Sequence, residues 1–110
     1  MALIVFMAGR DFYILQAAGT GSYKIGRSDD VEARIKQLQT GCPNTLRLIV
    51  KIPNWGYLER ETHQRLSRYR IRIGKGEWFA EPCLGELPLH IYEKIPEAIL
   101  ETPDWYKQKN

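Results

Sequence analysis

The sequence has no hydrophobic run long enough to cross a membrane. Its longest apolar run extends from Ala2 to Ala8, whereas a transmembrane helix needs about 20 apolar residues. The run also lacks a basic start and a small-residue cleavage site, so it does not have the pattern of a secretory signal. We therefore expect a cytoplasmic protein that does not enter a membrane.

Cysteine is scarce, with only Cys42 and Cys83 among 110 residues. Two cysteines cannot build a disulfide scaffold, and their spacing does not match a zinc site. We expect reduced thiols that act as small packing residues. The chain also contains no internal repeat, linker or low-complexity segment, and its length suits one domain with a real core.

The net charge is only +3 at neutral pH, but basic residues are concentrated in one segment. Between Gln64 and Gly76 there is no acidic residue, and the basic residues are Arg65, Arg68, Arg70, Arg72 and Lys75. A local basic stripe of this kind suits a polyanion. A solvated helix face would have the same composition, so composition leaves both interpretations open.

The pattern of β-forming residues and turns predicts a hairpin followed by a third strand. "DFYILQAA" ends at the turn-forming "GTGS", and "YKIGR" follows it, which predicts two antiparallel strands. "LRLIVKI" predicts the next strand, which ends at Pro53 and Asn54. "GEWFA" predicts a brief strand or edge, and "ALIVFM" is either another strand or a terminal segment.

Apolar residues at helical spacing predict helices between and after these strands. In the first helix the buried face is formed by Val31, Ile35 and Leu38, the candidate caps are Ser28, Asp29 and Asp30, and the end is at Gly41 and Pro43. A second helical pattern extends from about Tyr57 to Tyr69, with Leu58, Thr62, Leu66 and Tyr69 on one side. The tail, interrupted by Pro96, predicts one or two short helices packed on the rest. The class is α+β with a small antiparallel sheet.

Two arginines lie near the N-terminus of the first helix. Arg34 borders the buried face of that helix, whereas Lys36 and Gln37 point away from it. A guanidinium at such a border must extend to solvent or meet an anion. Alone, Arg34 is most simply interpreted as a snorkelling or salt-bridged residue. Arg27, at the exit of the "YKIGR" strand, is the second arginine.

The second helix and the hairpin contain further candidates. Glu59 and His63 are four residues apart, so their side chains meet on one helix face. The pair can hold a metal or be an ordinary surface contact. One glutamate is enough for a largely hydrated Mg²⁺. Tyr13 and Tyr23, on the two hairpin strands, are predicted to approach each other across the sheet, although each separately fits a plain core or edge aromatic.

In combination, these motifs resemble the GIY-YIG nuclease superfamily. "FYIL", "KIGRSDD", the helix arginine, the Glu–His pair and "GEWF" occur in the same order, and the likeness is greatest to the small phage and fungal meiotic-gene branch with "YKIG", "LQTG" and "GEWF". The resemblance covers Phe12 to Ala80. It implies one domain over 1–110, with a core at 12–80 and a C-terminal helical extension at 81–110.

The resemblance implies a three-stranded antiparallel sheet flanked by helices, and a nuclease activity. The expected reaction is hydrolysis of DNA phosphodiester bonds with Mg²⁺ or Mn²⁺, with RNA not excluded as a substrate. A phage or mobile-element origin would place the protein in the host cytoplasm. The oligomeric state does not follow from it.

Individual roles follow from the position of each residue in the motifs. Tyr13 resembles the tyrosine of the first motif, and Gly26 the glycine of the second. Arg34 resembles the helix arginine near the scissile phosphate. Glu59 resembles the single metal-binding carboxylate, and His63 the histidine that accompanies it. The basic stripe is expected to follow the DNA backbone, with Trp78 and Phe79 completing the core.

The sequence departs from the family pattern in two places. Asp11 and Phe12 stand where the first motif has glycine and isoleucine. Lys24 replaces the second tyrosine, and Tyr23 cannot substitute for it because neighbouring strand residues face opposite sides. Arg27 occupies the basic position that often follows the motif glycine.

Lys24 leads to one hypothesis and keeps other functions open. A phenol titrates near pH 10, so Tyr13 needs an electropositive neighbourhood to act as a base. We expect Lys24 to lower the pKa of Tyr13, or to serve as the base itself. The first alternative is a nuclease-fold module that binds nucleic acid without cutting it. The second is a protein-interaction domain encoded by a mobile element.

Overall fold

The computed structural model describes residues 10–71 and 78–96. Five strands lie in this part of the chain: β1 (Asp11–Ala17), β2 (Ser22–Ser28), β3 (Leu46–Ile52), β4 (Arg70–Ile71) and β5 (Trp78–Ala80). They form one antiparallel sheet with the order β3-β1-β2-β5-β4. The α-helices are α1 (Val31–Thr40), α2 (Glu59–Arg65) and α3 (Leu89–Tyr92). Short 3₁₀ segments cover Gly56–Leu58, Ser67–Tyr69 and Glu81–Glu86.

The α+β class agrees with the sequence prediction, but the predicted three-stranded sheet is wrong. β5 pairs with Ser22–Lys24 of β2, and β4 pairs with β5, so the sheet gains two strands beyond the hairpin and β3. The described part of β4 contains only two residues, too few to show a period of two in the sequence, whereas β5 lies in "GEWFA", the segment predicted as a brief strand or edge. The predicted "ALIVFM" strand, Arg72, Lys75 and the tail after Pro96 lie outside the described residues.

The β1–β2 hairpin forms as its turn chemistry predicts. Gly19 has a φ of 83°, a conformation that glycine adopts without a Cβ penalty. The Thr20 hydroxyl donates to the Ala17 carbonyl at 2.7 Å and accepts from the Ser22 amide at 3.1 Å. These bonds replace the ladder bonds that end at the turn, and they set the register in which Tyr13 lies opposite Gly26.

The sheet separates its side chains between two faces. The first, here called the core face, carries the largest buried cluster, including Phe12, Ile14, Tyr23, Ile25 and Phe79. Further members come from the 3₁₀ segments, from α3 and from the positions that directly follow α2 and the last 3₁₀ segment, namely Leu58, Cys83, Ile91, Leu66 and Leu87. Burying this cluster is the main source of stability in the described part of the chain.

The second face, here called the α1 face, carries a smaller cluster. Tyr13, Leu15 and Ala17 of β1 pack with Val31 and Leu46 there, and the remaining apolar residues of α1 cover them. Asp30 caps the helix, because its Oδ1 accepts from the Ala33 amide at 3.0 Å. The helix ends at Gly41 as predicted.

The segment from 57 to 69 is helical, but it is not one helix. It consists of a 3₁₀ turn, α2 and a second 3₁₀ turn. Its predicted inner side is nevertheless correct, since Leu58, Thr62 and Leu66 are buried and Tyr69 packs against the same cluster. In the described residues, no helix has the length and apolar character needed to cross a membrane.

Candidate active site

Tyr13 lies on the α1 face with its ring across Gly26. The two residues are register partners on β1 and β2. A Cβ atom added at Gly26 would overlap Cζ and Oη of the tyrosine and lie 3.0 Å from its Cε1. Only glycine therefore leaves room for the phenol at this position, which gives a physical reason for pairing these two motif residues.

The Tyr13 phenol is close to both Arg34 and Glu59. Burial is the largest influence on its pKa and raises it above the ordinary value of 10.0. A hydrogen bond with the Arg34 side chain and the positive charge of Arg34 lower it, whereas the negative charge of Glu59 raises it. The net direction is upward. The Tyr13 phenol on β1 is thus hydrogen-bonded to the Arg34 guanidinium of α1 and lies within electrostatic range of the Glu59 carboxylate of α2.

This result corrects the expected electrostatics of Tyr13. The sequence predicts that Lys24 lowers the pKa of the phenol, but Arg34 is the cation that acts on it, and desolvation together with the charge of Glu59 outweighs Arg34. The pKa is therefore raised rather than lowered. At neutral pH Tyr13 is a neutral hydroxyl that can both donate and accept a hydrogen bond.

Arg34 also contacts its own helix. Its Nη1 donates to Gln37 Oε1 at 3.1 Å. Gln37 is exposed, which confirms that it points away from the buried face of the helix, and its side chain extends back along α1 to the guanidinium. The Arg34 side chain is exposed, so an incoming anion can reach it.

Glu59 begins α2 and faces the end of β2. Arg27 Nε lies 3.4 Å from Glu59 Oε1, and the side chains are 45% and 24% exposed. Water therefore reaches this ion pair, which limits its contribution to stability. No cluster of three or more His, Cys, Asp or Glu residues occurs in 10–71 and 78–96. Glu59 is the carboxylate that the resemblance assigns to a hydrated divalent ion, and this assignment stays a prediction.

His63 fixes α2 to the edge of β2. Its Nε2 lies 2.7 Å from the carbonyl oxygen of Ile25, and since a carbonyl oxygen only accepts, Nε2 carries the hydrogen. The ring also packs beside Phe79, with 5.3 Å between ring centroids. The described part of β5 pairs with β2 only as far as Lys24, and His63 bonds to the next residue, Ile25. It lies one turn after Glu59 on α2, and its role toward that carboxylate stays a prediction.

Lys24 lies on the α1 face, between Leu15 and Trp78 in the strand register. It is buried, and its Nζ is 5.9 Å from the centroid of the Trp78 ring. Tyr23 is also buried but belongs to the core face. The predicted approach of Tyr13 and Tyr23 is therefore wrong, since the two rings lie on opposite sides of the sheet.

Three arginines of the basic stripe are described, and all three are exposed. Arg65 donates to the Glu86 carbonyl at 2.6 Å. Arg68 donates to the Tyr69 hydroxyl at 2.7 Å and lies 3.7 Å from a Glu86 carboxylate oxygen. Arg70 lies 5.9 Å from the Phe79 ring centroid. Arg65 and Arg68 thus hold the 3₁₀ segment Glu81–Glu86 in addition to any role toward a polyanion.

The "LQTG" segment organises a loop that the sequence did not reveal as part of a site. Gln39 Nε2 donates to the carbonyls of Cys42 and Asn44 at 3.3 and 2.8 Å, and its Oε1 accepts from the Leu46 amide at 2.9 Å. Asn44 Nδ2 donates to the Ala18 carbonyl at 3.2 Å. The loop is therefore tied to both α1 and the hairpin turn. The presence of "LQTG" among the family-like motifs was the only signal.

This loop, α1, the hairpin turn and Trp78 enclose an open pocket of about 520 Å³, here called the Trp78 pocket. Its walls include Ala17, Ser22, Gln37, Leu38, Gly41 and Trp78. Gln37 therefore both lines the pocket and bonds to Arg34, which connects the pocket directly to the residues around Tyr13.

The geometry defines an α+β protein with a polar, cation-rich site at one face of its sheet. The chain belongs to the T5orf172 domain family, whose model matches residues 12–102. This is a phage-associated domain reported in the context of nucleases. No curated protein matches the chain significantly, and no solved structure does.

Proposed function

We propose that the protein is a metal-dependent endonuclease that hydrolyses DNA phosphodiester bonds. The observation that carries this proposal is the convergence of Tyr13, Arg34 and Glu59 from three separate elements. These residues match the motif positions that the resemblance to GIY-YIG nucleases assigns to catalysis. Membership of a phage-associated family reported in the context of nucleases also supports a nucleic-acid substrate.

Arg34 is the residue proposed to hold the scissile phosphate. Its exposed guanidinium presents a planar fork of N–H donors that matches two phosphate oxygens. The negative charge on these oxygens increases as the nucleophile attacks, so a cation fixed at this position stabilises the transition state more than the substrate. Arg27, at the end of β2, is suited to a second oxygen or to the neighbouring phosphate.

Tyr13 is proposed to act as a neutral phenol in the resting protein. Its raised pKa disfavours the phenolate at neutral pH. The hydroxyl can instead orient an attacking water by accepting its hydrogen bond. Binding of a second cation beside the phenol would favour its deprotonation, so proton acceptance by Tyr13 is expected to depend on what occupies the site.

Glu59 is the proposed ligand for Mg²⁺ or Mn²⁺. A bound divalent ion would supply Lewis acidity and stabilise the leaving oxygen. The Glu59 side chain is partly exposed, which leaves room for the water ligands that Mg²⁺ retains. Arg27 would have to share or release the carboxylate, and His63 would keep α2 in position through its bond to Ile25.

Supercoiled plasmid incubated with Mg²⁺ or Mn²⁺ tests the activity. Glu59→Gln should abolish nicking, whereas Glu61→Gln, an exposed carboxylate of the same helix, should leave it unchanged. Direct Mn²⁺ titration by electron paramagnetic resonance should show weaker binding only in Glu59→Gln. Equal nicking by both variants would rule out the assigned role of Glu59.

A nucleic-acid-binding module without cleavage is the second candidate. Two observations favour it: Lys24 is buried where a second tyrosine is expected, and Arg27 pairs with the proposed metal carboxylate. In this case the protein would shift plasmid mobility in the presence of Mg²⁺ without nicking, and Arg34→Gln would weaken the shift. A protein-interaction domain would leave the Tyr13, Arg34 and Glu59 arrangement without a role.

A further inference from the structure

One wall of the Trp78 pocket is held in place by side-chain hydrogen bonds that join α1, the start of β3 and the hairpin turn. Gln39 makes three hydrogen bonds to the loop at 42–46, and Asn44 joins that loop to the hairpin turn. Ligand pockets in proteins commonly measure about 300–1,000 Å³, and this one measures about 520 Å³. A pocket with walls fixed in this way needs little reorganisation to accept a ligand.

The walls of the pocket combine a flat aromatic surface with hydrogen-bonding groups. Trp78 supplies an indole ring, with the Lys24 ammonium 5.9 Å from its centroid. Ser22 contributes a hydroxyl, and Gln37 an amide whose oxygen accepts from Arg34. Planar stacking surfaces bordered by donors and acceptors are the groups with which proteins bind unpaired nucleobases.

We propose that the Trp78 pocket receives an unpaired nucleobase from the strand whose phosphate Arg34 holds. The inference rests on the proposed nucleic-acid function and deepens it. Gln37 lies one helical turn after Arg34 and bonds to it at 3.1 Å, so a phosphate on Arg34 brings the adjoining nucleotide to the mouth of the pocket. Bases stacked and paired within a duplex cannot enter such a pocket. The occupant is therefore a base of a single strand, or one extruded from a duplex.

Base-dependent binding of single-stranded DNA tests the proposal. The probes are a short oligonucleotide and a strand of equal length with abasic sugars, both measured by fluorescence anisotropy in the presence of a chelator, so that no cleavage occurs. Wild type should bind the normal strand roughly tenfold more tightly, the typical effect of one aromatic–base stack. Trp78→Leu should lose this preference without binding the abasic strand more weakly. Trp78→Phe should retain most of the preference.

A second pair of variants separates pocket occupancy from folding. Gly41 lines the pocket, and a Cβ at Gly41 or Gly85 meets no atom within 4 Å. Gly41→Leu should fill part of the pocket and reduce the preference for bases, whereas Gly85→Leu should leave it unchanged. Circular dichroism then shows whether both variants remain folded.

The outcomes distinguish this inference from the proposed function. Equal binding of normal and abasic strands by wild type would overturn the base pocket and leave phosphate binding intact. If Trp78→Leu weakened the binding of both strands equally, the base pocket would also be overturned. If neither strand binds, the nucleic-acid function fails, and the inference fails with it.

Discussion

The two faces of the sheet differ in what their buried side chains do. On the core face, Phe12, Ile14, Tyr23 and Ile25 pack with residues from α3, from the 3₁₀ segments and from both ends of α2 into one apolar cluster. On the α1 face, the smaller cluster includes the buried Tyr13 and lies beside the buried Lys24 and an open pocket. Apolar packing dominates the first face, whereas the second combines apolar packing with polar side chains.

Because strand residues alternate, this division separates neighbours in the sequence. Phe12 and Tyr13 are adjacent, as are Tyr23 and Lys24, but each pair contributes to opposite faces. A one-residue change of register would exchange the two sets. The hairpin turn therefore determines both the core and the site, and substitutions of adjacent residues should have different consequences.

The largest expected effect on stability is that of Phe12→Ala. Phe12 is fully buried in the core face, and truncating a buried phenylalanine typically costs about 3–5 kcal/mol. Tyr13→Phe, one residue later, should cost only about 1 kcal/mol, since it removes one hydrogen-bonding hydroxyl, yet it should abolish plasmid nicking. Urea unfolding measures the first effect, and nicking of folded protein the second. Equal destabilisation by both variants would contradict the division between faces.

Gly26→Ala should have the next largest effect. The new methyl group would overlap Cζ and Oη of Tyr13, so the phenol must move, at a cost of about 1–3 kcal/mol. In a Tyr13→Ala background, Gly26→Ala should lower the free energy of unfolding much less, because the tyrosine atoms that it overlaps are absent. A double-mutant cycle of unfolding free energies measures this coupling. Gly85→Ala, whose Cβ meets no atom within 4 Å, is the control, and strict additivity would exclude the close approach.

The sequence predicted best the helices and strands in which apolar or β-forming residues recur regularly and a turn or capping residue marks the end. The hairpin combines β-forming runs with a turn cluster, and β3 occupies the predicted Leu46–Ile52. α1 combines a cap, an apolar spacing and a terminal glycine. β5 lies in the predicted "GEWFA" strand, but the three-stranded sheet implied by the resemblance did not include it. β5 joins the sheet by pairing with β2, and β4 joins it by pairing with β5, contacts that depend on the folded chain more than on strand propensity.

For the candidate site, the sequence predicted positions better than interactions. Helical spacing correctly gave Arg34 as a border residue, but it does not determine where a long side chain ends. Gln37 consequently proved to contact Arg34. The direction of the Tyr13 pKa shift depends on burial by the folded chain, which no local pattern contains. The roles assigned to Lys24, Glu59 and His63 remain predictions.

The raised pKa of Tyr13 predicts a loss of stability at alkaline pH. In the unfolded chain the phenol loses its proton near pH 10.0, whereas burial keeps it protonated to higher pH in the folded state. The folded state thus binds this proton more tightly, so stability is retained below about pH 10 and falls as the pH rises through the raised pKa. Unfolding free energies from about pH 9 to about pH 11 should fall less steeply in Tyr13→Phe.

Tyr57→Phe provides the matched control for this pH dependence, because the Tyr57 side chain is 67% exposed. Its removal should leave the alkaline slope as steep as in wild type. If Tyr13→Phe and wild type lose stability in parallel above pH 10, the phenol on the α1 face is not held protonated by burial. The contrast between the two tyrosines would then lose its electrostatic basis.

The smallest expected effect on stability is that of Arg27→Gln, at the end of β2. Its ion pair with Glu59 is partly exposed, so the free energy of unfolding should change by less than about 1 kcal/mol. DNA binding should respond more clearly. Loss of one phosphate contact should reduce the slope of log affinity against log salt by about one unit. Lys36→Gln, on the exposed side of α1, removes the same charge and should leave the slope unchanged.

The unfolding free energy and the salt dependence of DNA binding distinguish two roles for Arg27. If Arg27→Gln lost several kcal/mol of stability without a change in the salt-dependence slope, Arg27 would be a structural partner of Glu59. Its role would then resemble that of the residues packed on the core face. A changed slope with nearly unchanged stability would make it part of the phosphate-binding surface. Because Glu59 is only partly buried beside it, the second result is expected, with the guanidinium free to exchange the carboxylate for a phosphate oxygen as DNA arrives.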